Sequence, residues 1–141
     1  MYNGIFKDGK KQGKGVWKKS IEVENTNIYE GEYVQDMKHG QGEFRWSTGG
    51  LYTGAYKDDL KCGYGEMSWA DGCTYKGTWE YGIQNGLGLM SFADGLKKAG
   101  MFKDNVLVQL LTNKSMITDY IAYNPKAVLP KAFLDLLYKY V

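Results

Sequence analysis

Apolar and polar positions along this chain alternate in short runs with a period of two, and the runs recur. In the stretch YEGEYVQDMKHGQGEFRW, residues 29–46, Tyr29, Gly31 and Tyr33 share one face of a predicted strand. Gly40, Gly42, Phe44 and Trp46 share one face of the next. A helical stripe would not repeat every second residue. The apolar positions are aromatic rather than aliphatic, and glycine is set between them.

The run is one of a series. YTGAY begins at Tyr52, YKGTW at Tyr75 and KAGMF at Lys98, each 23 residues after the last, and YNGIF begins at Tyr2, 27 residues before Tyr29. The four extra residues fall in the polar stretch Ser20–Ile28, where an enlarged turn is tolerated. A GxG pair follows in register at Gly13–Gly15, Gly40–Gly42, Gly63–Gly65 and Gly86–Gly88. Bulky positions come next at Trp17, at Phe44 and Trp46, at Met67 and Trp69, and at Met90 and Phe92. Thr48-Gly49, Asp71-Gly72 and Asp94-Gly95 then close three units. Such a fixed period is the mark of a repeat architecture.

Each unit reads as a β-hairpin. Gly9, Asp36, Asp59, Gly82 and Asn105 occupy one turn slot, and these residue types tolerate a left-handed backbone. The predicted fold is mainly β: an elongated, single-layer antiparallel sheet of tandem hairpins. At ~4.8 Å per strand, its length is about 40–50 Å. Gly31 and Gly42 stand on the aromatic face, so their missing side chains leave room for a ring from a neighbouring strand to lie on the backbone.

The fifth unit is only half a repeat, because Lys98 replaces the leading tyrosine and Gln109 and Leu111 fill the GxG slots. The expected division is 1–105 for the array and 106–141 for a partly helical capping segment. Within the latter, VLVQLL fits a last strand or a helix entry. Ser115 is a candidate cap for a helix through Tyr123, Asn124-Pro125 is a break, and Pro130 opens a final helix. Phe133, Leu136, Leu137 and Tyr140 form one apolar stripe. It is expected to cover the open end of the sheet; a homodimer through this segment is the other reading.

Composition adds little to this picture. Glycine numbers 19 and aromatic residues make up 15%, as hairpins need, and the net charge is +2. The charge is uneven, with Lys10, Lys11, Lys14, Lys18 and Lys19 concentrated in the first unit. No apolar run approaches the ~18 residues of a membrane span, and no signal peptide opens the chain. These features point to the cytoplasm. Cys62 and Cys73 are placed at opposite ends of one predicted strand, too far apart for a disulfide. His39 shares its slot with Gln12, Cys62 and Asn85, which reads as a loop position rather than a catalytic or metal site. Asp58-Asp59 fall in a turn, and no phosphate loop, GxSxG or HExxH is present. The chain is read as non-enzymatic, with no catalytic residue, metal or cofactor, and no nucleic-acid partner.

YxGxY/W, a Gly/Asp/Asn turn slot, GxG, an aromatic and DG at period 23 resemble the MORN (membrane occupation and recognition nexus) repeat, over about residues 2–105. The resemblance implies a scaffold or adaptor in a cytoskeletal, ciliary or membrane-associated assembly. On that reading Tyr29, Tyr33, Phe44, Trp46, Tyr52, Tyr56, Trp69, Tyr75 and Trp79 bind a partner protein, as a helix or an extended segment. The family's link to phosphoinositides and phosphatidylserine gives the alternative of anionic lipid at Lys10, Lys11, Lys14, Lys18 and Lys19. MORN arrays also precede catalytic domains in larger signalling enzymes. An array that opens at Tyr2 is consistent with a piece of such a chain.

Overall fold

The computed structural model describes all 141 residues. Ten strands follow in chain order: β1 (Tyr2–Lys7), β2 (Lys10–Lys18), β3 (Ile28–Val34), β4 (Met37–Arg45), β5 (Leu51–Lys57), β6 (Leu60–Ser68), β7 (Thr74–Glu80), β8 (Ile83–Ser91), β9 (Lys97–Lys103) and β10 (Val106–Leu110). Helices α1 (Lys114–Tyr123) and α2 (Lys131–Tyr138) complete the chain. The strands form one open antiparallel sheet in sequence order, the predicted fold class.

The turn chemistry explains the register. Asp36, Asp59 and Asn105 have φ of 67°, 69° and 68°, and the residues before them, Gln35, Asp58 and Asp104, are also positive. Two successive left-handed residues make the two-residue turn whose twist matches a hairpin. The sequence pattern revealed only the second residue of each pair. The first glycine of each GxG pair is conformational as well: Gly40 sits at φ 75°, within a bulge that places His39, Gly40 and Gln41 opposite Glu32. In the fifth hairpin Gln109 holds that slot, the bulge shrinks to one extra residue, and Leu110 rather than Leu111 faces Gly100.

The second glycines do a different job. Gly4, Gly15, Gly31, Gly42, Gly54, Gly65, Gly77, Gly88 and Gly100 lie directly opposite one another from β1 to β9, one glycine per strand. On this bare line lie the rings of Tyr2, Tyr29, Tyr52 and Tyr75. Each ring covers a glycine of its own strand and the facing glycine of the next. The expectation of a ring from a neighbouring strand holds for Gly42 and needs correcting for Gly31, where the ring comes from two residues earlier in the same strand. The hydroxyls fix the pose by donating to Ile5, Glu32, Ala55 and Thr78 carbonyls at 2.9–3.0 Å.

The tail differs from its expected role. VLVQL is a strand, so the sheet extends to Leu110, five residues past the expected array boundary. The helices then pack on the rear of the sheet, not across its end. Leu87, Leu89 and Ala99 from the sheet meet Leu111, Ile117, Phe133 and Leu137 in a second apolar core. Tyr64 stacks on Phe133 at 4.9 Å, and the Tyr120 hydroxyl donates to Thr78 Oγ1. The last edge stays open, with Val106, Val108 and Leu110 exposed. Phe133 and Leu137 are thus buried within their own chain, while Tyr140 lies outside the helix and is exposed. Asn113 caps α1, accepting from the Met116 N–H at 3.2 Å. Ser115 lies inside the helix, because the Asn113 side chain supplies the cap two residues earlier. Pro130 is the cap residue of α2 rather than its first helical residue. Cys73 is not at the end of β6 but in the turn before β7, and both cysteines are free.

Candidate partner-binding face

The ring face has two tiers. The lower tier is a continuous edge-to-face ladder running Tyr2–Tyr33–Tyr29–Tyr56–Tyr52–Trp79–Tyr75–Phe102, with ring centres 5.0–5.5 Å apart. This is the arrangement that ring quadrupoles prefer. Tyr29, Tyr52 and Tyr75 are fully buried; Tyr33, Tyr56 and Trp79 are 4–6% exposed. Trp79 also donates its indole N–H to the Gly65 carbonyl at 3.1 Å. Burial raises the phenol pKa of Tyr29, Tyr52, Tyr56 and Tyr75 well above the ordinary value, and that of Tyr33 to about 12. These six residues form the core of the fold. A single-layer sheet has no second layer to cover them, so they cover each other, and little of their surface is left for a partner.

The upper tier is open. Phe44, Trp46 and Trp69 are half-buried, together with Trp17 and Met90, which the sequence reading did not choose. Trp17 lies 6.3 Å from Phe44, and Phe44 lies 4.6 Å from Trp46. The nine chosen aromatics therefore divide by burial, and three of them present surface.

A row of lysines stands above the rings. Lys11 lies over Tyr2 and Tyr33, Lys38 over Tyr29, Phe44 and Tyr56, and Lys61 over Trp46, Tyr52 and Trp79, all at 5.2–5.9 Å from the ring centres. Such cation–ring contacts are attractive, the more so when partly desolvated. Burial, and then the neighbouring Lys38, lower the pKa of Lys61. Lys38 and Lys61 were missed as site residues, although the signal was present: Lys11, Lys38 and Lys61 occupy the same slot of successive repeats.

The five lysines of the first repeat do not gather. Lys11 belongs to the row above the rings. Lys14 lies on the rear face in a trough lined by Glu30, Glu32 and Glu43, and Lys18 borders a different hollow with Met1 and Ile21. Lys10 faces Lys7 at the first turn, and Lys19 lies beyond β2.

A family model described as the MORN repeat matches residues 2–20, 29–51, 52–74 and 75–97. No curated protein matches the chain.

Proposed function

This chain belongs to the MORN repeat family, and from that premise we propose that it is a scaffold which holds a partner protein on its ring face. MORN repeats are generally modules of interaction and membrane association, and typically not enzymes. The observation that carries the reading is the upper tier. Trp17, Phe44, Trp46, Trp69 and Met90 stay half-exposed along one face, while the tail covers the rear of the last repeats. Aromatic side chains of this kind are the usual energetic centres of interfaces. The setting is a cytoskeletal, ciliary or membrane-associated assembly; no helix is long and apolar enough to cross a membrane. Against lipid as the ligand, the first-repeat lysines divide between two faces, and Lys14 on the rear stands beside carboxylates.

The test is affinity capture from cells with the wild-type chain and with Phe44→Ala plus Trp46→Ser. Partner proteins retained by the first are expected to be lost from the second, with urea midpoints within about 1 kcal/mol of each other in stability, as partly exposed sites allow. Identical capture by both chains overturns the proposal. Tyr56 and Trp79 are unsuitable probes, because both are buried and their loss would unfold the array.

A further inference from the structure

One turn of the array departs from the others beside the lysine row. In the regular arrangement the turn residue of the next hairpin and the lysine exchange two bonds. Asp59 donates its N–H to the Lys38 carbonyl at 3.0 Å, accepts the Lys38 N–H on Oδ1 at 2.8 Å, and brings that carboxylate 3.6 Å from the Lys38 ammonium. Asp36 makes the same pair of backbone bonds with Lys11. At Lys61 the residue is Gly82, which donates its N–H to the Lys61 carbonyl at 2.9 Å and has no carboxylate to return. Lys61 is therefore a half-buried cation, enclosed by Trp46, Tyr52 and Trp79, with no acid in contact.

The residue before Gly82 is unusual as well. Tyr81 sits at φ 51°, where other repeats carry Asp8, Gln35, Asp58 or Asp104. A bulky side chain in that region is disfavoured, and such strain collects at functional sites. Tyr81 is 76% exposed. It borders a hollow of about 410 Å³ with Lys38, Lys61, Trp46 and Tyr56, whose one acid, Asp59, is already paired with Lys38. An acid has thus been replaced by glycine, and a turn residue by an exposed phenol, at the same point.

We infer that the ring face takes an acidic helix, one of whose carboxylates seats against Lys61 and Tyr81 and supplies the counter-charge that Gly82 omits. The inference rests on the ring-face reading above and names the chemistry of its partner. Lys11, Lys38 and Lys61 stand on alternate strands, so successive ammonium groups are about 10 Å apart. Carboxylates seven residues apart on a helix stay on one side and are spaced about 10.5 Å. An extended segment presents one side at about 6.6 or 13 Å and misses the spacing. A bilayer surface is disfavoured because Lys61 lies among rings.

The experiment is fluorescence anisotropy with a labelled amphipathic helical peptide carrying glutamates at three positions seven residues apart, and with the same peptide carrying glutamines there. The full chain is expected to bind the glutamate peptide at least tenfold tighter at low salt. Lys61→Gln and Gly82→Asp should each remove most of that difference, and Lys14→Gln on the rear face should leave it. Both variants are tolerated by the repeat, since Gln84 stands at the equivalent of Lys61, and Asp36 and Asp59 at the equivalent of Gly82. A Cβ at Gly82 comes no nearer than 3.6 Å to Leu60. Equal affinity for both peptides, lost in Trp46→Ser, overturns the charge inference and leaves the ring-face reading standing. Binding of neither peptide by a folded chain overturns the inference. So does lysine-dependent capture of phosphatidylserine vesicles by a chain indifferent to the glutamates.

Discussion

Gly65→Ala is the sharpest probe of how the array is held together. A Cβ at Gly65 would lie 2.5 Å from Cε1 and Cζ of Tyr52. Carbon atoms in contact sit about 3.5–4.0 Å apart, so the ring must move by at least ~1 Å. Tyr52 is fully buried, and it would lose its 2.9 Å bond to the Ala55 carbonyl and its edge contacts with Tyr56 and Trp79. The bond is worth about 1 kcal/mol, and each ring contact about 0.5–1.5 kcal/mol. Strain from overpacking adds ~1–3 kcal/mol, and replacing glycine in a strand returns ~0.5–1 kcal/mol. The expected net cost is about 2–6 kcal/mol, a fall in Tm on the order of 5–25 °C for a chain of this size. The assay is thermal and urea unfolding followed by near-ultraviolet circular dichroism, run as a double-mutant cycle with Tyr52→Leu. With the ring gone, Gly65→Ala should cost less than about 1 kcal/mol, because contacting residues couple. An equal cost in both backgrounds would refute the steric account. Gly63→Ala is the contrast. Its φ is 59° and its Cβ would meet only Ala55 at 3.6 Å, so its strain should persist whether or not Tyr52 is present.

Alkaline pH should unfold the array. The buried phenols of Tyr29, Tyr33, Tyr52, Tyr56 and Tyr75, and the partly buried phenol of Tyr64, titrate above their unfolded value of about 10. The unfolded chain therefore binds fewer protons above that pH. Stability is full below pH ~10 and is lost as pH rises through the folded values, so urea midpoints should fall there as phenolate absorbance rises in one cooperative step. Phe133→Ala empties a fully buried site against Tyr64 and should cost about 3–5 kcal/mol. Limited proteolysis should then release the helices while strand circular dichroism persists. Asn113→Ala should weaken α1 by about 1 kcal/mol in amide exchange, and Ser115→Ala should not.

The repeat was legible because it is written in residue types that have one physical use each. Glycine opposite glycine, an aromatic two residues away and Asp or Asn in a turn admit little else. Burial was less legible. Tyr29 and Trp46 look alike in sequence, yet one lies under its neighbours and the other beside them, and that depends on the ring's tilt toward the glycine line. The lysine row was hidden for another reason: Lys38 and Lys61 read as ordinary solvated charges until the sheet places rings beneath them. The tail was misjudged because an apolar stripe does not say which surface it will cover. The rear aliphatics Leu87, Leu89 and Ala99 decide that, and they alternate with the residues of the ring face along the same strands.

The ladder of rings also sets how this molecule comes apart. Tyr2–Tyr33, Tyr29–Tyr56, Tyr52–Trp79 and Tyr75–Phe102 each join one repeat to the next, so stability is a chain of nearest-neighbour links rather than the property of one core. The links are not equal at the two ends. The last repeats are clamped from behind by α1 and α2, whereas the first leaves Ile5 and Phe6 more than half exposed. Unfolding therefore has a direction. It starts at β1 and travels toward β8, peeling hairpins in order, and amide protection should rise along the chain like the steps of a staircase.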